Sequence, residues 1–126
     1  MTMGLITMKK KIMKRLLKEA EEHESTFRVR VVAAVVNKGK IVAIGKNQNK
    51  THPVAARYSK HPEAIYLHAE VDAINKAKRL LRDLSKAELH IVRMKHDGSL
   101  GLARPCSGCS KCIKAEKIPK IFYTKG

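Results

Sequence analysis

Two short stretches of the chain carry residues that could bind one metal ion together. His68 stands two residues before Glu70, and Cys106 stands three residues before Cys109. Residues three apart on a helix lie on the same side of it, so both thiols would face one metal if their stretch is helical. One histidine and two cysteines are ligands typical of a catalytic zinc ion, whose fourth position is left to water. The pattern predicts a zinc site with Glu70 as proton carrier.

Each stretch lies at the start of a predicted helix. Apolar residues recur at helical spacing over residues 67–81, which places His68 and Glu70 in a first turn. Pro105 suits the first position of the second helix, directly before Cys106. Because the N-terminus of a helix carries partial positive charge, it favours the thiolate form of a cysteine, which is the form that binds metal.

Each stretch also has a simpler explanation when it is taken alone. A histidine at a helix start is more often a cap or a surface residue, and a lone pair of cysteines at this spacing can be structural or redox-active. Cys112 lies three residues after Cys109 and is a candidate fourth ligand of a closed structural zinc site. Three thiols at this spacing rotate around a helix, so we favour Cys112 as a packed core residue and keep the closed site as an alternative.

Together the two stretches resemble the signature of the zinc-dependent cytidine and deoxycytidylate deaminase superfamily. His-Ala-Glu at residues 68–70 and Pro-Cys-x-x-Cys at residues 105–109 are similar to its two motifs, and the resemblance extends over residues 27–123. It implies three zinc ligands, which are His68, Cys106 and Cys109. It also implies that the zinc activates a water to attack C4 of cytosine or C6 of adenine while Glu70 moves the protons.

Further residues are expected to contact the substrate. Gly45-Lys46-Asn47 resembles the superfamily's Gly-x-Asn after the second strand, whose Asn contacts the substrate, and Asn49 is the fallback. An Asn side chain offers a donor and acceptors, as recognition of a sugar hydroxyl or a pyrimidine edge requires. In the irregular segment 48–66, an arginine suits phosphate and a tyrosine suits stacking on a base. The expected substrate-binding residues are Asn47, Ala69, Arg57 and Tyr58.

The rest of the chain has the pattern of an α/β fold. Residues 7–24 have apolar positions at helical spacing, with Thr7 as a possible cap and an outer face rich in lysine. Turn residues at 37–40 separate two apolar runs and predict a hairpin. The predicted strands are residues 27–36, 41–45, 88–95 and 120–124. With the two site helices they predict a three-layer α/β/α arrangement with a mixed central sheet. The resemblance implies that this is the cytidine deaminase-like fold.

The 126 residues fit one domain, with an N-terminal basic helix over residues 1–24 and a catalytic core over residues 27–124. Members of the superfamily usually continue past the last of these strands with another helix and strand, whereas this chain stops at Gly126 and is C-terminally short by that comparison. An uncovered sheet edge is a liability, so we expect a partner subunit to cover it in a homo-oligomer.

The charge predicts a phosphate-bearing ligand. Lys and Arg total 27 against 11 Asp and Glu, giving a formal net charge of +16, and such a field attracts polyanions. No apolar run of about 18 residues appears, which predicts no membrane span. The N-terminal residues lack the continuous apolar block of a secretory signal. With only three cysteines, the chain is expected to be cytoplasmic.

Three functions remain open. The first is a hydrolytic deaminase acting on a cytosine nucleoside or nucleotide such as dCMP, since the chain resembles small virus-type deoxycytidylate deaminases. The second is a deaminase of single-stranded DNA or RNA, including the tRNA adenosine type, although three Tyr, two Phe and no Trp give few stacking platforms. The third is a zinc-stabilised nucleic-acid-binding module without catalysis, against which Glu70 argues.

Overall fold

The computed structural model describes residues 9–23, 30–47, 68–95, 97–105 and 107–125. These residues form three helices and five strands. Their order is the predicted one, with the addition of a two-residue strand, Leu100–Gly101, that was not predicted. The helices are α1 (Lys10–Glu22), α2 (Ala69–Lys78) and α3 (Ser107–Ala115). The strands are β1 (Arg30–Asn37), β2 (Lys40–Lys46), β3 (Glu88–Met94), β4 (Leu100–Gly101) and β5 (Lys120–Tyr123).

The strands form one mixed sheet with β1 and β3 at its centre. β1 pairs antiparallel with β2 on one side and with β3 on the other. The two remaining strands both pair with β3, β4 antiparallel near Met94 and β5 parallel from Glu88 to Ile91. The mixed sheet predicted from the sequence is therefore confirmed.

Both faces of the sheet are covered, because alternate residues of β1 enter two separate apolar clusters. One cluster contains Ala33 and Val35 together with apolar residues of α2 and α3. The other contains Val32, Ala34 and Val36 together with apolar residues of α1. A strand that is buried on both faces reads as a nearly continuous apolar run, which is the pattern seen here. The structure thus has the predicted three layers, with α1 on one face and α2 and α3 on the other.

Helix α1 packs through the stripe that its sequence predicts, since its buried residues are Ile12, Leu16 and Ala20. The prediction that Thr7 caps this helix is wrong, because Lys9 occupies the N-cap position and makes no side-chain capping hydrogen bond. Thr7 itself lies outside the described residues. None of the three described helices has the length and apolar character needed to cross a bilayer.

The end of β2 lies directly against the start of α2. A Cβ on Gly45 would overlap both the carbonyl oxygen of Ala69 and the amide nitrogen of Ala73. The amide of Lys46 donates to Oδ2 of Asp72 at 3.1 Å. Only glycine allows this approach of backbone to backbone, so the N-terminal turn of α2 is fixed beside the last residues of β2.

Thr124 forms hydrogen bonds with β3, with β4 and with the segment that leads to α3. It is fully buried, its hydroxyl donates to the carbonyl of Gly101 at 2.7 Å, and its Oγ1 accepts from the amide of Arg93 at 3.2 Å. Its own amide donates to the carbonyl of Ile91, and its carbonyl accepts from the amide of Ala103 at 2.9 Å. The segment that precedes α3 is therefore anchored to the sheet.

We expect Gly45→Ala to lower the free energy of unfolding by roughly 3 kcal/mol, because the added methyl group forces α2 away from β2. Urea unfolding measures this loss. Gly98→Ala is the matched control: apart from its chain neighbours, no described residue lies within 4 Å of its Cβ position, and its φ of +89° is unfavourable for alanine. We therefore expect a loss of roughly 1 kcal/mol. Equal losses in the two variants would contradict the close contact.

Candidate active site

The starts of α2 and α3 bring His68 and Cys109 together. His68 is the N-cap residue of α2, and Cys109 lies in the first turn of α3, where it is 2% exposed. The Nδ1 atom of His68 is 3.2 Å from Sγ of Cys109. Zinc bonds of about 2.0 Å to nitrogen and about 2.3 Å to sulfur place two such ligands about 3.5 Å apart at the tetrahedral angle. This pair fits two ligands of one zinc ion, with Nδ1 as the histidine donor.

The third predicted ligand, Cys106, lies outside the described residues. Within the residues that the structure describes, no three His, Cys, Asp or Glu side chains group closely enough to hold a metal ion. Helix α3 begins at Ser107, so the prediction that Pro105 takes its first position is wrong. Because the helical pattern begins two residues later, Pro105 belongs to the segment that leads into the helix.

Cys112 has the environment of a packed core residue. It is 2% exposed and belongs to the apolar cluster that α2 and α3 share. Burial raises the pKa of its thiol to about 11, and the negative charges of Glu116 and Glu70 act in the same direction. This environment favours the core role for Cys112 over a closed structural zinc site.

Glu70 lies in the first turn of α2, two residues after the N-cap histidine, and is 6% exposed. A carboxylate in this position is largely shielded from bulk water. Ala69, which was predicted to contact the substrate, is fully buried in the apolar cluster between the sheet and α2. The substrate contact of Ala69 stays a prediction.

Asn47 follows β2 directly, and its side chain is held in one orientation. Its side-chain Oδ1 accepts from the backbone amide of Val31 at 3.0 Å, and its backbone amide donates to the carbonyl oxygen of Val31 at 3.1 Å. Because a backbone N–H can only donate, the atom that faces it must be the side-chain oxygen. The orientation of the Asn47 amide is therefore fixed.

His23 makes a second contact with Asn47 that sequence reasoning missed. This residue is the C-cap of α1, and its Nε2 lies 2.9 Å from Oδ1 and 3.0 Å from the backbone carbonyl oxygen of Asn47. Both partners are acceptors, so Nε2 carries the hydrogen. The end of α1 is thereby joined to the end of β2, although the two residues are 24 positions apart.

Asp72 is a second residue that sequence reasoning missed. Its Oδ2 accepts from the amide of Lys46 and from Nζ of Lys76, each at 3.1 Å, and Nζ of Lys76 also donates to the carbonyl of Ile44 at 3.2 Å. The spacing of Asp72 and Lys76 is a signal for their ion pair. The link from that pair to β2 follows only from the packing.

Arg57 and Tyr58, predicted to contact phosphate and base, lie outside the described residues, as does the fallback Asn49. Their roles stay predictions. The described part of the site therefore consists of the His68 and Cys109 pair, the buried Glu70, and Asn47 at the neighbouring strand end.

Comparison with known proteins identifies the family of the chain. Residues 6–125 match the family model of the cytidine and deoxycytidylate deaminase zinc-binding region. The chain belongs to this family. It is a zinc-dependent hydrolytic deaminase, as the two sequence motifs indicated. A search of curated proteins found no match.

Solved deaminase structures share the fold. The dCMP deaminase from the cyanophage S-TIM5, in its apo form, is 25% identical, and the match covers 94% of this chain and 86% of that one at a TM-score of 0.56. The same enzyme in complex with dCMP and dUMP is 26% identical, with coverage of 94% and 85% and a TM-score of 0.56. Guanine deaminase from Bacillus subtilis is 27% identical, with coverage of 94% and 65% and a TM-score of 0.58. The class of reaction is common to these neighbours, and the base differs.

We expect His23→Ala to raise the KM of the deamination reaction about tenfold, with a smaller change in kcat. The hydrogen bonds that orient Asn47 are worth about 1.4 kcal/mol, which is a factor of about ten. Steady-state kinetics of ammonia release measure the effect. His23→Gln keeps a donor and should recover most of the loss, whereas Glu22→Ala, at the exposed neighbouring position, should change nothing. An unchanged KM in His23→Ala would contradict the positioning role.

Proposed function

We propose that this chain deaminates the cytosine ring of a nucleotide, with dCMP as the favoured substrate. The observation that carries the proposal is the buried Glu70 carboxylate in the turn that follows His68, whose Nδ1 meets Cys109. Support for dCMP comes from the similarity to the cyanophage dCMP deaminase, both apo and in complex with dCMP and dUMP. The net charge of +16 also suits a substrate that carries phosphate.

The residues that would hold the zinc ion are His68, through Nδ1, Cys109 and Cys106. The described pair has the nitrogen and sulfur donors and a separation that fit this metal. When bound, zinc supplies a Lewis acid that makes a water nucleophilic at neutral pH.

Glu70 moves the protons of the reaction. Hydrolysis forms a bond between C4 and the oxygen of one water, and it breaks the bond between C4 and the exocyclic nitrogen, which leaves as ammonia. The Glu70 carboxylate accepts a proton from the attacking water and delivers it to ring nitrogen N3. It then takes the second proton from the new hydroxyl and delivers it to the leaving nitrogen. Because Glu70 is buried, these protons stay within the site.

Substrate recognition completes the proposal. Asn47, whose amide is held by Val31 and His23, would contact the sugar or the base. Arg57 would bind the phosphate and Tyr58 would stack on the base. A preset side chain loses little conformational freedom on binding, which favours affinity.

Self-association also belongs to this proposal. In the described part of the chain, the outer edges of β2 and β5 pair with no further strand. An open edge exposes amide and carbonyl groups, and a partner subunit would cover them. A monomeric mass in light scattering at micromolar concentration would count against it.

The substrate is tested by ammonia release from the zinc-loaded protein over dCMP, CMP, deoxycytidine, cytidine, guanine, adenosine and a single-stranded oligonucleotide. We expect the highest kcat/KM with dCMP. Turnover confined to the oligonucleotide would replace the proposal with a polynucleotide deaminase, which the charge also suits. Turnover confined to guanine would follow the Bacillus subtilis neighbour instead.

We expect Glu70→Gln to lower kcat by a factor of about 10² to 10⁴ while the protein keeps its zinc and fold, because the amide cannot accept the proton. Asp72→Asn is the matched control, since Asp72 is a buried carboxylate on the same helix. The side-chain oxygen of the asparagine can still accept the hydrogen bond from the backbone amide of Lys46. This variant should keep most of the activity. Full activity in Glu70→Gln would refute the proton-carrier role.

A further inference from the structure

The outer face of α1 carries a concentrated positive charge, apart from the residues that the proposed reaction uses. Over residues 10–18 the helix has five basic residues and no acidic one, and all five are exposed. A helix turns about 100° per residue, so they span an arc of about 140° on the side opposite the buried stripe. They are Lys10, Lys11, Lys14, Arg15 and Lys18.

Most of this charge is not neutralised by the described residues. Arg15 pairs with Glu19 at 3.1 Å, and Glu19 pairs also with Lys46 at 3.0 Å. The hydrogen bond from Lys46 lowers the pKa of Glu19, and that from Arg15 adds to the effect, so this carboxylate is charged but already engaged. The four lysines form no ion pair with any residue that the structure describes. We call these four, Lys10, Lys11, Lys14 and Lys18, the α1 lysine face.

The placement of this charge does not serve the helix itself. The positive end of the helix dipole favours acids in the first turn and disfavours lysines. The first turn of α1 has no acid, and its N-cap residue Lys9 makes no side-chain cap. The helix is instead stabilised by the burial of Ile12, Leu16 and Ala20. The lysines are better explained by a partner outside the chain.

The lysine face continues onto the neighbouring hairpin turn. The Nζ atom of Lys9 lies 3.6 Å from the position of a Cβ on Gly39, so the start of α1 lies against the turn between β1 and β2. That turn carries Lys38 and Lys40, both exposed. Positive charge thus extends from the helix to the end of the sheet.

The partner that fits this surface is a nucleic acid and not a membrane. An amphipathic helix binds a bilayer by inserting its apolar face, and the apolar face of α1 is buried against the sheet. Single strands are held by stacking on aromatic side chains, and residues 10–22 contain none. A duplex presents one phosphate charge per about 1.7 Å of axis, and the nine-residue face is about 13 Å long. We propose that the α1 lysine face docks on the phosphate backbone of a double-helical nucleic acid.

This docking surface is separate from the catalytic site. α1 packs on the face of the sheet that contains Val32, Ala34 and Val36, whereas α2 and α3, which carry Glu70 and Cys109, pack on the other face. A duplex on α1 is therefore not the substrate. It holds the enzyme next to nucleic acid while the catalytic site stays open to a small substrate.

The test is fluorescence polarisation of the zinc-loaded protein with a labelled duplex of about 20 base pairs. Four phosphate contacts predict that log K falls with log[salt] at a slope of about −3.6, so raising salt from about 50 mM to about 200 mM weakens binding about a hundredfold. The variant K10Q/K11Q/K14Q/K18Q should bind more than about tenfold more weakly at low salt, with a slope near zero.

A second variant, K86Q/K111Q/K114Q/K125Q, removes the same charge from exposed lysines outside α1. Both variants lower the formal net charge from +16 by four, to +12, so a difference between them isolates the α1 lysine face. The control should bind like the parent. Binding is measured without turnover, so its failure is distinct from a failure of the proposed deamination. In a separate assay of ammonia release, which rests on the proposed function, saturating duplex should leave the KM for dCMP unchanged.

Four results would overturn the proposal. Equal weakening of both variants would mean diffuse attraction by net charge. If the duplex did not bind at low salt, a double-helical nucleic acid would be excluded as the partner. It would also be excluded if phosphatidylserine vesicles bound more tightly than the duplex. Competitive inhibition of dCMP turnover by the duplex would place it in the catalytic site instead.

Discussion

The structure depends on the contact between the backbones of β2 and α2 at Gly45. The missing side chain lets the carbonyl of Ala69 and the amide of Ala73 lie where a Cβ would otherwise stand. The bond from the amide of Lys46 to Asp72 fixes the register of strand and helix. This contact sets the start of α2 beside the end of β2, and so brings the turn that carries Glu70 near the strand end that carries Asn47. The chemistry of the site relies on a glycine that takes no part in it.

The helices on the two faces of the central sheet have different roles. On one face, α2 and α3 converge so that His68 and Cys109 meet, with Thr124 anchoring the segment that leads to α3. On the other face lies α1, whose C-cap His23 reaches across to Asn47. The outer side of the same helix carries exposed lysines, opposite its buried stripe. Helix α1 therefore contacts Asn47 through its C-terminal end and exposes a positively charged surface along its length.

Much of this fold could be predicted because local sequence and tertiary packing agree. The run of apolar residues in β1 reads as a strand buried on both faces, and the stripe through Ile12, Leu16 and Ala20 is the one that packs. The approach of His68 to Cys109 could be predicted from their residue types and from the two motifs that contain them. Their role as metal ligands stays a prediction. The roles of His23 and Asp72 could not be predicted, since their hydrogen bonds span 24 and 26 residues and exist only once the layers pack. The starts of two helices were predicted least accurately. The N-cap of α1 was predicted at Thr7 and lies at Lys9, and the first position of α3 was predicted at Pro105 and lies at Ser107. Sequence signals define a helix end only to within a residue or two.

X-ray absorption at the zinc edge, on the parent protein and on Cys112→Ser, would identify the ligands of the metal. We expect one zinc per chain with two sulfur ligands at about 2.3 Å and lighter nitrogen and oxygen ligands at about 2.0 Å. The spectrum should be unchanged in Cys112→Ser, because that side chain is packed in the apolar cluster that α2 and α3 share. Three sulfur ligands that fall to two in the variant would contradict the account and establish a closed site without a position for water.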